Sequence, residues 1–351
     1  MTAFADPAFF HQLLGKAVSA HATDIHLKVG QPPGARIRGD MVYFKTDRIA
    51  ADDTEAIARH IVRNPKVRDA LDTLQEYDTS YEVPDVGRFR VNLYRQRSSL
   101  AAVMRYIPTT VPNVYDLGLP GVARELAEKP NGLVLVTGAA GHGKSTSIAA
   151  MIGHLNTTKP LHIVTIEDPI EYVHTDQQSS ISQREVGLDT GGFAQALRAA
   201  LRQDPDVIFV GEIRDDETME VALKAAETGH LVMSTLHTPD ATRTVTRMLA
   251  LMKGDAVENR TRIASALQGI IAQRLLPRSD GQGVILATEI LVATLLVRDA
   301  IRRPENNPPL KALMEKGVHP YGMRTLQMHL DQLLEHGFLS DEAVREALGQ
   351  T

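Results

Sequence analysis

At 351 residues, 43% hydrophobic and 23% charged, the chain is long enough for two globular domains, each with its own core. A formal net charge of −5, with Lys and Arg scattered rather than massed, argues against nucleic acid as the main partner. The lack of cysteine excludes disulfides and cysteine-bearing zinc or iron–sulfur sites, and is compatible with a reducing cytosol.

The first stretch, MTAFADPAFFHQLLGKAVSA, has no basic leader and carries Asp6, His11 and Lys16 among its apolar residues. It reads as an amphipathic helix over 7–19 rather than a signal peptide. No segment approaches the ~18 uninterrupted apolar residues of a membrane span, so the expectation is a cytoplasmic protein that meets a membrane only through partners. A short strand follows at 24–29, and a second helix starts at Asp52-Asp53-Thr54-Glu55, whose carboxylates suit a first turn. In VGRFRVNLYRQR, Phe89, Val91 and Leu93 alternate with Arg88, Arg90 and Asn92, the period of a half-buried strand with arginines on its open face. SSLAAVMRYI, 98–107, reads as its partner. Prolines 108, 112 and 120 then punctuate the chain. The expected organisation is a small α+β domain over 1–107, a linker over 108–116, and a second domain over 117–351 that is mostly helical from about 294.

Four apolar runs follow: LVLVT ending at Thr137, LHIVTI at Ile166, DVIFV at Val210 and LVMSTL at Leu236. Helical patterns intervene, notably over 193–203 and over 215–229, the latter closed by Gly229. Such βαβα order predicts an α/β domain with a mostly parallel sheet covered on both faces, whose ligand binds at the carboxyl ends of the strands. Those ends carry GAAGHGKST, EDPIE, GEIRD and HTPDA.

The first of these is a phosphate loop. Gly138, Ala139, Ala140, Gly141, His142, Gly143, Lys144, Ser145 and Thr146 fit G-x-x-x-x-G-K-[ST] between an apolar strand and a helix, so backbone N–H groups cradle phosphate, Lys144 reaches the β/γ-phosphates of ATP and Ser145 binds Mg²⁺. Val207–Val210 followed by Gly211-Glu212 fits a Walker-B strand, with Glu212 on Mg²⁺ or its water, and Glu167-Asp168 supplies a second carboxylate pair for base or metal work. Asp168 and Asp215 can equally serve as helix caps. His230 and His237 flank one strand about 23 Å apart at ~3.3 Å per residue, so they do not share a metal ion. His237 is the one at the carboxyl end, as a γ-phosphate contact or a structural histidine. Arg88, Arg90, Arg95, Arg97 and Arg105 form either a solvated strand face or a source of arginine for phosphoryl transfer.

Taken in order, GAAGHGKST, IEDPIE, RQDPDVIFVGEIRD and AAETGHLVMSTLHTPDA, with ATDIHL and VGRFRVNLYRQR before them, resemble the secretion ATPases, and among them the retraction motors of type IV pili, over nearly the whole chain. The resemblance implies a PAS-like N-terminal domain, a RecA-like P-loop ATPase domain and a homo-hexameric ring. It implies a catalytic glutamate at Glu167, a Walker-B glutamate at Glu212 and a γ-phosphate histidine at His237. Its N-terminal-domain arginines match Arg90 and Arg105, with Arg97 a weaker match. The partners it implies are an inner-membrane pilus platform protein and a paralogous ATPase, with no nucleic acid, and the location is the cytoplasmic base of the pilus machine. Three features depart from that pattern. The family loop has Pro, Thr and Ser where this chain has Ala139, Ala140 and His142, and His142 brings a pH-sensitive side chain beside the phosphates. The prolines of PENNPP interrupt a helix the family continues. The four-cysteine zinc element usual in extension motors is missing, which favours the retraction side. An accessory nucleotide-binding protein of low turnover and a related secretion-system ATPase are the competing readings.

Overall fold

The computed structural model describes residues 3–107 and 110–349. The chain divides into two compact units, Met1–Thr110 with Glu171–Val173, and Val111–Ile170 with His174–Thr351. Of the expected linker, Pro108 and Thr109 lie outside the described residues, while Val114 is 4% exposed within the core of the second unit.

In the first unit α1 (Pro7–Ser19) begins at Asp6, whose carboxylate accepts the Ala8 N–H at 2.9 Å, with proline at the first helical position. Strands β1 (Ala22–Lys28), β2 (Gly34–Ile37) and β3 (Asp40–Tyr43) follow, then α2 (Ala51–Ile61), α3 (Pro65–Asp69) and strands β4 (Glu76–Val83), β5 (Gly87–Gln96) and β6 (Ser99–Ile107). They form one antiparallel sheet in the order β3-β2-β1-β6-β5-β4. Phe10 and Leu14 of α1 and Ile57 and Ile61 of α2 bury against Ile25, Leu27, Phe89, Val91 and Leu93 of the sheet. Each such side chain removed from water contributes about 1.5–3 kcal/mol. The alternation read in β5 is the observed one, with Phe89, Val91 and Leu93 buried and Arg90 exposed.

The second unit runs α4 (Gly121–Ala127), β7 (Gly132–Thr137), α5 (Lys144–Thr158), β8 (His162–Glu167), β9 (Ser180–Glu185), α6 (Phe193–Ala200), β10 (Val207–Val210), α7 (Asp216–Glu227), β11 (Leu231–Leu236), α8 (Ala241–Leu251), α9 (Ala256–Ala266), β12 (Leu267–Pro277) and β13 (Val284–Val292). Helices α10 (Leu295–Arg302), α11 (Leu310–Lys316), α12 (Leu326–Glu335) and α13 (Asp341–Leu348) close it. The sheet order is β13-β12-β7-β11-β10-β8-β9, parallel throughout except for the antiparallel β12–β13 pair. Every residue of β7, β10 and β11 is buried, as expected of strands with helices on both faces. The break at PENNPP is real: α10 stops at Arg302 and Pro304 opens a short 3-10 turn. The α/β architecture, with an antiparallel sheet in the N-terminal unit and a mostly parallel sheet in the second, is the one expected.

Candidate active site

β7 delivers its last residue, Thr137, into the loop, and α5 starts at Lys144. The loop turns on glycine. Gly138 has φ +144°, and a Cβ there would lie 2.4 Å from the Gln273 carbonyl oxygen of β12, while Gly143 at φ +77° sets the start of α5. Lys144 is buried, and its Nζ donates to Ala139 O at 3.0 Å, so the ammonium rests on its own loop. Ser145 and Thr146 occupy the first turn of α5, beside N–H groups that have no intrahelical acceptor. This cradle, with a cation at its mouth, fits the phosphates of a nucleotide.

His142 is held differently from what the sequence suggests. Its Nδ1 accepts the Leu275 N–H at 3.0 Å, and its carbonyl accepts Gln273 Nε2 at 2.6 Å. Burial, with the positive charges of Arg274 and Lys144, holds its pKa below the ordinary histidine value. His142 thus ties the loop to β12, where β7 has left the ladder, and its lowered pKa works against the pH-sensitive charge expected beside the phosphates.

Neighbouring strand ends supply the carboxylates. Glu167 closes β8, 8% exposed, with Oε1 accepting from the Thr165 hydroxyl at 2.7 Å and from Gln183 Nε2 of β9 at 3.1 Å. Glu212 follows β10, with Oε2 accepting Arg214 Nε at 2.9 Å and Oε1 lying 3.1 Å from His237 Nε2. His237 Nδ1 is in turn 3.5 Å from Lys144 Nζ. The structure thus joins Glu212, His237 and Lys144 in one polar chain across three strand ends. His230 sits at the far end of β11 with Nδ1 3.1 Å from Ala225 O. Asp215 caps α7 through the Thr218 N–H at 2.7 Å, whereas Asp168 is exposed and followed by no helix, so its capping alternative falls.

In the first unit Arg90 and Arg105 are cross-strand partners. Arg90 is exposed, and Arg105 donates from Nε to Asp24 Oδ1 at 2.8 Å. Burial pushes Asp24 up, but the Arg105 and Thr23 hydrogen bonds outweigh it and keep its carboxyl below the usual range. Arg97 is exposed in the β5–β6 turn at φ +46°. Arg95 instead staples carbonyls of Leu71, Asp72, Leu74 and Ser98, and Arg88 bonds Ser80 Oγ at 2.8 Å, so these two are structural. Sequence reasoning missed Arg214, Gln183 and Gln273. Arg214 stands two residues after Glu212 in GEIRD, which was signal enough; Gln183 lies on the polar strand β9, and Gln273 lies on the apolar strand β12, more than a hundred residues from the loop it meets.

Five of the six parallel strands, β7, β8, β10, β11 and β12, numbered one to five, stand in the order 5-1-4-3-2 with β9 at the edge and the glycine cradle after the first, which defines a RecA-like P-loop nucleotide-binding domain. The family described as Type II/IV secretion system protein matches residues 7–288, and the chain belongs to it. Over 336 residues, 95% of this chain and 96% of the relative, it is 42% identical to the type IV pilus retraction ATPase PilT of Pseudomonas aeruginosa. It is 37% identical to the type IV pilus ATPase PilU of the same organism, covering 95% of this chain and 87% of that one. Among solved structures, the pilus retraction motor PilT with bound ADP superposes with a TM-score of 0.87 at 44% identity, over 96% of both chains. The chain is therefore an ATPase of the secretion family and a homologue of PilT.

Proposed function

We propose that the protein is a Mg²⁺-dependent motor ATPase that works as a homo-hexameric ring in the cytoplasm, at the inner-membrane base of a pilus machine, and powers retraction of type IV pili. The observation that supports the reading is the Glu212–His237–Lys144 chain beside a glycine cradle, a carboxylate, an imidazole and an ammonium that in this reading meet the terminal phosphate of ATP. The names of the similar proteins support the direction of movement. Among the described residues no helix is long and apolar enough to cross a membrane, so contact with the platform protein, and with a paralogous ATPase, is made as a peripheral partner in this reading.

In the mechanism that follows, Lys144 exchanges the Ala139 carbonyl for phosphate oxygens and His237 contacts the γ-phosphate. The Ser145 hydroxyl and Glu212 carboxylate are hard oxygen donors, and would hold Mg²⁺. That ion supplies charge neutralisation on the phosphates. Glu167 takes the proton of the attacking water. Arg90 and Arg105, Arg105 after leaving Asp24, stabilise charge on the transferred phosphoryl group, and their release with phosphate couples hydrolysis to movement of the N-terminal unit.

Steady-state phosphate release with MgATP tests the reading. Lys144→Ala is expected to abolish turnover with the fold retained, and full activity in that variant overturns the site. A second reading, a PilU-like nucleotide-binding accessory of low turnover, draws on His142, whose side chain and carbonyl tie the phosphate loop to β12. A wild-type rate at background decides for it.

A further inference from the structure

The row of residues that reaches the phosphate loop continues across the sheet. Leu236 of β11 pairs with Thr137 of β7, Thr137 with Ala272 of β12, and Ala272 with Glu289 of β13. The residue before His237, the residue before the loop and Glu289 therefore stand in one line. Glu289 is 8% exposed. Its Oε1 accepts the Ala241 N–H at 2.8 Å and its Oε2 accepts the Leu326 N–H at 3.2 Å. Ala241 opens α8, four residues after His237, and Leu326 opens α12. One buried carboxylate thus closes two helix N-termini, where unpaired N–H groups and the positive ends of two helix dipoles favour an anion.

The residues on either side of Glu289 bind the same C-terminal segment. Ile290 and Arg324 exchange backbone bonds at 2.8 and 3.2 Å, the Arg324 guanidinium donates to the Thr288 hydroxyl at 2.6 Å, and the Thr288 N–H donates to His329 Nδ1 at 2.9 Å. The C-terminal helices are consequently hooked to β13 at three successive positions. The middle hook is the one that also grips the start of α8.

We propose that Glu289 is a positioning residue that holds the His237 loop opposite Glu212 and Lys144 and links that loop mechanically to the C-terminal helices. This rests on the reading of His237 as the γ-phosphate contact. A glutamine at 289 keeps one acceptor oxygen and turns an NH₂ towards the other helix start, so one of the two N–H groups loses its acceptor. Aspartate keeps both oxygens and the charge on a shorter arm.

The test measures kcat and KM for MgATP in the full-length protein for Glu289→Gln, Glu289→Asp, His237→Ala and the Glu289→Gln/His237→Ala double variant, with amide hydrogen exchange at Ala241 and Leu326. The expected result is a roughly ten- to hundred-fold fall in kcat for Glu289→Gln at unchanged KM, with faster exchange at one of the two amides and partial rescue by Glu289→Asp. In the His237→Ala background, Glu289→Gln is expected to cost nothing more. If Glu289→Gln lowers thermal stability with kcat intact, or lowers kcat by the same factor in both backgrounds, Glu289 is a structural cap and the inference is overturned while His237 keeps its role. If His237→Ala turns over like the wild type, the γ-phosphate reading itself is overturned, and the positioning role with it.

Discussion

Glu167 and Glu212 leave the ends of two adjacent, register-matched strands, yet they are held in opposite ways. Glu167 is buried, and Thr165 and Gln183, both neutral donors, converge on its Oε1. Glu212 spends one oxygen on Arg214 and the other on His237. The first arrangement fixes the direction of a carboxylate through two neutral donors. The second wires a carboxylate into the positive groups around the phosphate site. A proton acceptor needs orientation and a charge-organising group needs connections, and the contrast is in keeping with the base role proposed for Glu167 and the metal and phosphate role proposed for Glu212.

Replacements at these positions break the comparison in different currencies. Glu167→Gln keeps the shape and removes the base, so kcat is expected to fall by about 10²–10⁴-fold with KM nearly unchanged in steady-state assays. A collapse of nucleotide binding instead would reverse the two roles. Glu212→Gln is expected to raise the Mg²⁺ concentration for half-maximal turnover about ten- to a hundred-fold, read from a Mg²⁺ titration at fixed ATP. Gln183→Ala removes one donor to Glu167, a loss of about 0.5–1.5 kcal/mol that corresponds to a roughly two- to ten-fold drop in kcat, and leaves the Mg²⁺ titration alone.

The smallest effect concerns His142. Because its pKa is depressed in the folded protein, its stabilising contribution is complete above the ordinary value of 6.5 and is lost as pH falls from there towards the folded-state pKa, since the unfolded chain takes up the proton first. His174 and His329, both pushed by burial to about 4, add the same slope. Melting temperatures at pH 8 and pH 6 should therefore differ less in His142→Ser than in the wild type, and equal differences would show that the tether carries no proton linkage.

The sheet of the ATPase domain was readable because strands buried on both faces show as unbroken apolar runs, and each of the four runs ended on a motif. β9, with Ser180, Ser182 and Gln183 among its six residues, is a polar edge strand whose pairing with β8 no local pattern announces. β12 and β13 went unread as well, and with them the wall that Gln273 and Leu275 present to the loop. The partners that changed a reading are remote in sequence: Arg105 meets Asp24 across 81 positions, and His142 meets Leu275 across 133. Residue types and spacing reveal which groups gather at a strand end. Whether an arginine is already engaged, or a histidine already tethered, is decided by contacts that only the folded chain makes.

The ammonium of Lys144 lying on the Ala139 carbonyl has a thermodynamic corollary. Since the loop already satisfies its own cation, an incoming anion swaps one partner for another, and net affinity measures the difference between the two. A turn that holds its shape without a ligand would lose correspondingly little conformational freedom when one binds.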